Sequence, residues 1–262
     1  MQPLATTFIY LCGGRALVIS DGLESDEHSH HALQITINLA PDPFVMRHAG
    51  QDIAMNSAVI RSNSLHQVVS SNSWRAIMLI DPQTQLAHQI NEHYSRHDNV
   101  VALEADDFVF CQKALEGFAG NAQSVEAAGK ALDQIIERLA GPIGTAGELQ
   151  QRVQQALAVI HEEPGRNLTL EYIAGRVFLS ESRISHLFKA EIGIPIQRYL
   201  LWYKLAQAAF NIGKGMSLTT AAEEAGFADS AHFSRSFRVM FGLTPSQILK
   251  RSRHVQVISD MR

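Results

Sequence analysis

Short apolar and alternating runs, separated by turn-forming residues, occupy residues 5–110 of the chain. The separators are clusters of Ser, Asn, Asp, Gly and Pro, which favour turns. Runs of this length between turn residues are typical of β-strands. They cover residues 8–12, 16–19, 33–39, 58–61, 67–69 and 76–80. Many short strands at this spacing predict a sandwich or a barrel.

The periodicity then becomes helical over residues 107–119 and 124–139. In the second of these segments an apolar stripe recurs in steps of three and four, which is typical of an amphipathic helix. It consists of Val125, Ala128, Leu132, Ile135 and Leu139. The stripe has two interpretations. It is either the seam of a homodimer, which we expect Leu132→Asp together with Ile135→Asp to weaken, or a face packed on the helix's own domain.

Residues 141–147 mark a predicted domain boundary, because four of these seven residues are Gly or Pro. The division predicts a first domain at 1–140, a linker at 141–147 and a second domain at 148–262. From residue 148 onward the periodicity is helical throughout. The predicted fold class is therefore α+β with two domains: an N-terminal β-barrel followed by helices, and an all-α C-terminal domain.

The C-terminal part begins with two amphipathic helices joined by a short turn. The first has its apolar stripe at Leu170, Ile173, Ala174 and Val177, with Thr169 as N-cap. Ser180 can cap the second, which presents Ile184, Leu187 and Phe188 on one side. Its opposite side carries Ser182, Ser185, His186 and Lys189. Hydrogen-bonding and basic groups on the outward side suit a recognition helix.

The same pattern returns 48 residues later. Leu218, Ala221, Ala222 and Ala225 repeat the first stripe, and Phe233 and Phe237 repeat the inward side of the second helix. The outward side carries Ala231, Ser234, Arg235 and Arg238. A long helix over residues 196–212 separates the two units. A rigid spacer of this kind can place two recognition helices in successive major-groove turns, roughly 34 Å apart.

Charge is divided unevenly along the chain. The net charge is −4, yet residues 1–147 carry −8 and residues 148–262 carry +4. A basic C-terminal part on an acidic chain indicates a polyanion as the partner of that part alone. No apolar run is long enough for a membrane span, and two cysteines are too few for a disulfide scaffold. We therefore expect a cytoplasmic protein with no membrane partner.

Three stretches of the C-terminal part resemble the signature of the AraC/XylS family of transcriptional regulators. They read AAEEAGF at 221–227, HFSRSFR at 232–238 and FGLTP at 241–245, and the first unit resembles the family at LTLE (168–171) and SHLFK (185–189). The resemblance implies a domain with two helix-turn-helix units, double-stranded DNA as partner, and RNA polymerase as a further partner if the protein activates. Lys204 and Ile248 depart from the usual Arg and aromatic residue.

The outward residues can be assigned roles from their chemistry. Arg235 can contact guanine through two hydrogen bonds, and Ser182, Ser185, His186 and Ser234 can contact base edges singly. Lys189 and Arg238 lie further along their helices and are predicted to contact phosphates. The alternative is that the arginines only solvate a helix face.

The N-terminal part contains histidines whose spacing resembles the two cupin motifs: Gly22, His28, His30 and Gln34, then His66. The resemblance implies a barrel in which such residues surround a metal ion, with Gln34 here in the glutamate position. Three interpretations stay open: an effector pocket, a metal-holding sensor, or structural histidines at a strand end. Because Gln34 is a poorer ligand than a carboxylate, we expect no bound metal and no other cofactor, and less than one equivalent of metal in protein purified without added metal.

An enzyme is the alternative function, namely a metal-dependent cupin fused to a DNA-binding domain. Such an enzyme needs an open metal position and usually a charged third ligand. Gln34 argues against it, and the DNA-binding half has no role in it. We therefore expect a non-enzymatic regulator whose N-terminal barrel senses a small-molecule effector.

Overall fold

The computed structural model describes most of the chain. The described residues are 5–12, 15–21, 25–70, 73–82, 84–94, 98–119, 123–141, 150–162, 168–192, 194–246 and 252–260. Two sequence predictions fall outside them: residues 142–147 of the predicted linker, and Gly22 of the first histidine motif. No helix among these residues is both long and apolar enough to cross a membrane.

The N-terminal part is a sheet structure followed by helices. Its strands are β1 (Ala5–Cys12), β2 (Arg15–Asp21), β3 (Leu33–Asn38), β4 (Phe44–His48), β5 (Gln51–Met55), β6 (Ser57–Ile60), β7 (Gln67–Ser70), β8 (Trp74–Ile80) and β9 (Val100–Val101). Its helices are α1 (Gln85–Tyr94), α2 (Ala105–Ala114) and α3 (Val125–Ala140). All six predicted strand runs lie within or at the edge of observed strands, whereas β4, β5, β9 and α1 were not predicted.

The C-terminal part is mainly helical. It comprises α4 (Gln151–Glu162), α5 (Leu170–Arg176), α6 (Glu181–Ile192), α7 (Ile196–Gly213), α8 (Leu218–Glu224) and α9 (Ser230–Phe241), followed by strand β10 (Ser252–Asp260). The prediction that this part is all helix is therefore wrong at its end. Strand β10 pairs in parallel with β1 and extends the N-terminal sheet, with Phe8 opposite Gln256.

The strands form two sheets rather than one closed barrel. The larger sheet has the order β10-β1-β2-β8-β3-β6-β9, and the smaller has the order β5-β4-β7. No pairing joins the described strands of one sheet to those of the other; outside these strands, His28 and His66 form an isolated antiparallel bridge. The prediction of a closed barrel is therefore wrong. The large sheet is open, because the two-residue strand β9 forms one of its edges and β10 forms the other.

Both faces of the large sheet are buried. Tyr10, Leu17 and Met78 point to the face that packs on α1 to α3. Their neighbours in the chain, such as Ile9 and Leu11, point to the other face and share a core with the helices of the C-terminal part. Successive residues of a strand alternate between faces, so the sheet forms the middle layer between two sets of helices.

The apolar stripe of α3 belongs to the first of these cores. Ala128, Leu132 and Ile135 are fully buried there, and Leu139 is almost so; the side chain of Val125 is not among those described. The homodimer interpretation of this stripe is wrong, because the stripe is already covered by the chain's own sheet and helices. Charged substitutions at Leu132 and Ile135 would therefore break the core.

The helix boundaries of the C-terminal part follow from their caps. The Thr169 hydroxyl accepts a hydrogen bond from the Tyr172 N–H at 3.1 Å, and the Ser180 hydroxyl accepts one from the Arg183 N–H at 3.3 Å. Both caps match the sequence predictions. In the second pair, Ser217 and Asp229 cap α8 and α9 in the same way. Such caps satisfy N–H groups that have no partner within the helix.

A buried carboxylate joins the sheet to α7. Asp81 follows β8 and is fully buried. Arg198 Nε donates to its carboxylate at 2.6 Å, and Trp202 Nε1 donates to the same oxygen at 2.7 Å. A buried carboxylate is tolerated only when it is paired and hydrogen-bonded, so this contact fixes the start of α7 against the sheet.

Replacing Arg198 with Met should lower the free energy of unfolding by about 3–5 kcal/mol, because the buried Asp81 carboxylate would lose its ion pair with Arg198. Urea unfolding at neutral pH measures the loss. Arg47→Met is the matched control, since the Arg47–Asp52 pair lies on an exposed hairpin, and it should leave the free energy of unfolding unchanged within error. Equal losses in the two variants would contradict the role given to Arg198.

Candidate functional site

The three histidines predicted to act together do meet at one place. His28 and His66 form an isolated antiparallel bridge, each N–H donating to the other's carbonyl oxygen at 3.0 and 2.9 Å. The ring centroids lie 4.4 Å apart for His28 and His66, 5.1 Å for His30 and His66, and 5.6 Å for His28 and His30. We call these three residues the histidine cluster. Each has a ligand nitrogen within 4.8 Å of the other two.

Backbone carbonyls hold one nitrogen of each ring. Nδ1 of His28 lies 2.8 Å from the Asp26 oxygen, Nδ1 of His66 lies 2.9 Å from the Ser64 oxygen, and Nδ1 of His30 lies 3.1 Å from the Ala32 oxygen. A carbonyl oxygen only accepts, so a ring that makes this bond carries its proton on Nδ1. The lone pair is then on Nε2. This tautomer suits metal ligation, in which the other ring N–H is commonly donated to a backbone carbonyl or a carboxylate.

His66 Nε2 is a buried polar atom without a hydrogen-bond partner among the described residues. The side chain is 1% exposed. A buried acceptor left unsatisfied costs roughly 1–3 kcal/mol, so the position is unfavourable for a purely structural histidine. An ion or a donor group brought by a ligand would satisfy it.

Gln34 reaches the cluster from strand β3. Its Oε1 lies 2.7 Å from His30 Nε2, and its Nε2 donates to the Thr36 hydroxyl at 2.9 Å. His30 Nε2 can donate to Oε1 only in the tautomer that lacks the proton on Nδ1. A neutral His30 ring therefore satisfies either Gln34 or the Ala32 carbonyl, but not both. Of the three ligand nitrogens, this one is already engaged.

Burial keeps the cluster uncharged. The pKa of His30 is lowered to about 4 and that of His66 to about 3, mainly by desolvation; His28 acts in the same direction on both, and His30 does so on His66. Desolvation also lowers the pKa of His28, and the nearby positive charge of Arg238 acts in the same direction. Neutral imidazole is the form that binds metal. The donor set therefore fits a borderline divalent ion such as Zn²⁺ in ligand type and protonation state.

A cavity of about 60 Å³ adjoins the cluster. Its polar end is formed by His28, His66 and Gln34, together with Thr7 and Ser25. The remaining walls are apolar and come from both parts of the chain: Ile9, Leu11, Ala16, Val18, Val68, Ile77 and Leu79 from the sheets, and Phe237, Phe241 and Leu243 from α9 and the turn after it. Of the polar end, His28, Gln34 and His66 belong to the set predicted from the sequence, whereas Thr7, Ser25 and the wall formed by α9 do not.

The end of α9 lies directly on the histidine cluster. Gly242, which follows α9 with φ of +79°, is so close that a Cβ there would overlap the His28 ring and approach His30 Cδ2 to 3.0 Å. One turn earlier, the Val239 carbonyl accepts a hydrogen bond from the His31 N–H at 2.9 Å. No local pattern marks Gly242 as part of this site, since its neighbours there are more than 200 residues away in sequence.

The predicted outward face of α6 is open to solvent. Ile184, Leu187 and Phe188 are buried against neighbouring helices, as predicted. Ser182, His186 and Lys189 are exposed, and Ser185 is half-buried. These four side chains are therefore available to a partner.

The predicted outward face of α9 is also open to solvent and available to a partner. Arg235, Arg238 and Ala231 are exposed and Ser234 is half-buried, whereas Phe233 and Phe237 are buried. The pairs α5–α6 and α8–α9 thus repeat one arrangement, in which the first helix is capped and the second presents a polar and basic side. Lys204 of α7, one of the departures from the family pattern, donates to the Gly226 carbonyl after α8 at 3.1 Å.

The comparisons with known proteins match the C-terminal part. The sequence model described as "Helix-turn-helix domain" matches residues 173–251. The chain is 31% identical over 101 residues to the arabinose operon regulatory protein of Escherichia coli (strain K12), which covers 38% of this chain and 35% of that protein. It is 28% identical over 99 residues to the Msm operon regulatory protein of Streptococcus mutans, with 37% and 36% covered. The matched segment spans about a third of the length of these curated relatives.

The fold as a whole resembles a solved structure described as unsaturated fatty acid bound wild-type ToxT from Vibrio cholerae strain SCE256. The TM-score is 0.50 at 12% sequence identity, and the match covers 97% of this chain and 98% of that chain. At this identity the likeness concerns the fold alone. It supports the arrangement of an N-terminal sheet region with a C-terminal helical domain.

Acid should destabilise the protein through the histidine cluster. Above about pH 6.5 the rings are neutral in both the folded and the unfolded chain. As the pH falls below 6.5, these histidines bind protons in the unfolded chain, whereas His30 and His66 stay unprotonated in the folded chain. The free energy of unfolding therefore falls until the pH reaches their lowered pKa values of about 4 and 3. Each ring should contribute a slope of up to about 1.4 kcal/mol per pH unit.

Urea unfolding between about pH 7 and pH 5 tests this slope. In the variant His66→Phe the slope should be smaller by the contribution of one ring. The control His88→Ala, on the exposed side of α1, should keep the wild-type slope. If His66→Phe and the wild type show the same slope, the burial of a neutral His66 is not what couples stability to pH.

Proposed function

We propose that the protein is a transcriptional regulator that binds double-stranded DNA through α6 and α9. The observation that carries this proposal is the repeated pair of capped helices, each presenting a polar and basic side, within a segment that matches a helix-turn-helix domain. The positive charge of residues 148–262 on an otherwise acidic chain agrees with a polyanion as partner.

The two outward faces differ, so each is proposed to read a different DNA element. In the first unit Ser182, Ser185 and His186 face the bases, and Lys189 contacts a phosphate. In the second unit Ser234 and Arg235 face the bases, and Arg238 contacts a phosphate. Helix α7 supports this arrangement because it is buried along much of its length, which makes it a stiff spacer between the two units.

The cavity between the sheet and α9 is the proposed effector site. It joins a polar end to apolar walls, which is typical of small-molecule sites, and one of its walls belongs to a proposed recognition helix. An effector bound there would contact both parts of the chain. The similar ToxT structure is described as bound to an unsaturated fatty acid, which makes that ligand class one to test here.

Three further properties are proposals about the whole protein. A regulator of this kind acts in the cytoplasm, contacts RNA polymerase if it activates, and commonly binds DNA as a homodimer. The dimer cannot use the buried stripe of α3, so another surface of the N-terminal part would have to form it. A light-scattering mass of one chain at micromolar concentration would contradict the dimer.

Arg235→Ala should weaken binding to the preferred DNA sequence by about 1–3 kcal/mol and relax the preference at one base pair, because a bidentate contact to guanine is lost. The preferred sequence is first obtained by selecting DNA fragments on the full-length wild-type protein. Titrations of labelled DNA then compare the variants. Arg152→Ala, an exposed arginine of α4 outside both proposed faces, should bind like the wild type. An unchanged affinity of Arg235→Ala would show that the face of α9 is wrongly assigned.

Lys189→Ala should weaken binding to preferred and scrambled DNA alike, since a phosphate contact does not depend on sequence. Each phosphate contact releases about one counterion, so the slope of log affinity against log salt should fall by about one. Binding measured at several salt concentrations on both DNAs gives this slope. A loss confined to the preferred sequence would instead assign Lys189 to base recognition. If the wild type shows no sequence preference at any salt concentration, the regulatory function itself is refuted.

A further inference from the structure

The size of the effector cavity limits what can bind there. Sites for organic ligands usually measure about 300–1,000 Å³, whereas this cavity measures about 60 Å³. A water molecule needs roughly 10–15 Å³ of such volume. The cavity therefore accommodates an ion with a few waters, but not a drug-sized organic molecule unless α9 moves away from the sheet.

The polar end of the cavity is a set of nitrogen ligands. His28 and His66 each hold their proton on Nδ1 through a backbone carbonyl, which leaves the lone pair of Nε2 available to an ion. His66 Nε2 is buried and has no partner among the residues that the structure describes. Three neutral imidazoles form a common ligand set of Zn²⁺ sites that keep an open position for water. The adjoining cavity provides room for that water.

The site is not contracted around an ion. Three nitrogens bound tetrahedrally to one Zn²⁺ lie about 3.4 Å apart, given bonds of about 2.0–2.1 Å, whereas the ligand atoms here spread over as much as 4.8 Å. Gln34 also occupies His30 Nε2 at 2.7 Å. Binding must therefore draw the rings together and displace Gln34, which lowers the affinity. A weak, reversible site agrees with the expectation that the purified protein holds less than one equivalent of metal.

Contraction of the cluster cannot leave α9 undisturbed. The edge of the His28 ring that carries Cδ2 and Nε2 faces Gly242, at the close distance described above. An ion on Nε2 and the backbone of Gly242 compete for the same space beside that ring. Gly242 follows the last turn of α9 directly, so a shift there is transmitted to Arg235 and Arg238 along a rigid helix.

We propose that His28, His30 and His66 reversibly bind a divalent transition-metal ion such as Zn²⁺, and that this ion is the effector, acting on α9 through the contact between His28 and Gly242. The ion's ligands would be the three Nε2 atoms and a water in the cavity. Gln34, released from His30, is then free to bond to that water. This inference rests on the proposed function for its readout on DNA, but not for the metal site itself.

The first measurement is metal binding by the full-length protein without a polyhistidine tag. Co²⁺ is the probe, because its visible absorption reports its coordination, and Mg²⁺ is the control, because it prefers oxygen ligands. One equivalent of Co²⁺ should bind and be displaced by Zn²⁺. His66→Phe should weaken Co²⁺ binding by about 100-fold or more, whereas His88→Ala should not change it. Gln34→Glu should strengthen binding, because a carboxylate is the better ligand. Binding that survives in His66→Phe would overturn the site.

The second measurement isolates the contact with α9. Gly242→Ala should weaken Co²⁺ binding about tenfold, because the new methyl group displaces the His28 ring. The matched control is Gly215→Ala: Gly215 has a similar φ of +93°, but a Cβ there meets nothing within 4 Å. It therefore carries the same backbone strain without the contact. Equal effects of the two substitutions on Co²⁺ affinity would refute the coupling through Gly242.

The third measurement is DNA affinity with and without Zn²⁺ on the selected sequence. Zn²⁺ should change the affinity for DNA by about 5–150-fold. With Co²⁺ as the metal, bound DNA should change the affinity for Co²⁺ by the same factor as bound Co²⁺ changes the affinity for DNA. If the protein binds DNA sequence-specifically and neither metal changes its affinity for DNA, the inference is overturned and the proposed function stays intact. Metal binding without any DNA preference refutes the proposed function and the coupling, but not the site. An unsaturated fatty acid that changes DNA affinity while Zn²⁺ does not would also overturn the metal as effector.

Discussion

The second face of the large sheet has to be covered, and the architecture of the protein follows from that requirement. Ile9, Leu11 and Leu79 point away from α1 to α3 and would expose a broad apolar surface if the C-terminal helices were absent. Burying such a surface is the dominant favourable contribution to folding. The same packing brings α9 to the sheet, encloses the cavity and removes Asp81 from water, so that Arg198 and Trp202 must satisfy its charge. The parts that are separate in sequence therefore share one core.

At the histidine cluster, which lies at the polar edge of that core, close packing leaves hydrogen bonding incomplete. The bridge between His28 and His66 satisfies the backbone of both residues, yet it places two imidazoles in an apolar setting and leaves one nitrogen unsatisfied. Well-packed interiors seldom retain such a group. Gln34 reduces the conflict at His30 only by competing with the Ala32 carbonyl. Local conflict of this kind commonly marks functional positions in an otherwise consistent fold.

Local features of the fold could be predicted from the sequence, and long-range ones could not. Thr169 and Ser180 were identified as caps because a cap depends on hydrogen bonds within a few residues, and α7 was predicted to within one residue of its observed end. The stripe of α3 was correctly assigned to a helix, but the surface that it packs on was not identified. Periodicity shows which side of a helix is apolar, and it does not show which part of the protein covers that side. Strand β10 was missed since its partner, β1, lies at the other end of the chain. The histidines could be grouped from motif spacing, whereas the role of Gly242 depends on how the two parts pack.

The pairing of β1 with β10 also determines the order in which this sheet can be built. Residues that are hydrogen-bonded neighbours there, such as Thr7 and Val255, are about 250 positions apart in the chain. During translation at about 5–20 residues per second, β1 leaves the ribosome many seconds before its parallel partner. Throughout that interval the outer edge of β1 is an unpaired strand edge, the kind of surface that recruits other chains. The edge of β1 therefore stays open until the segment that forms β10 has been made.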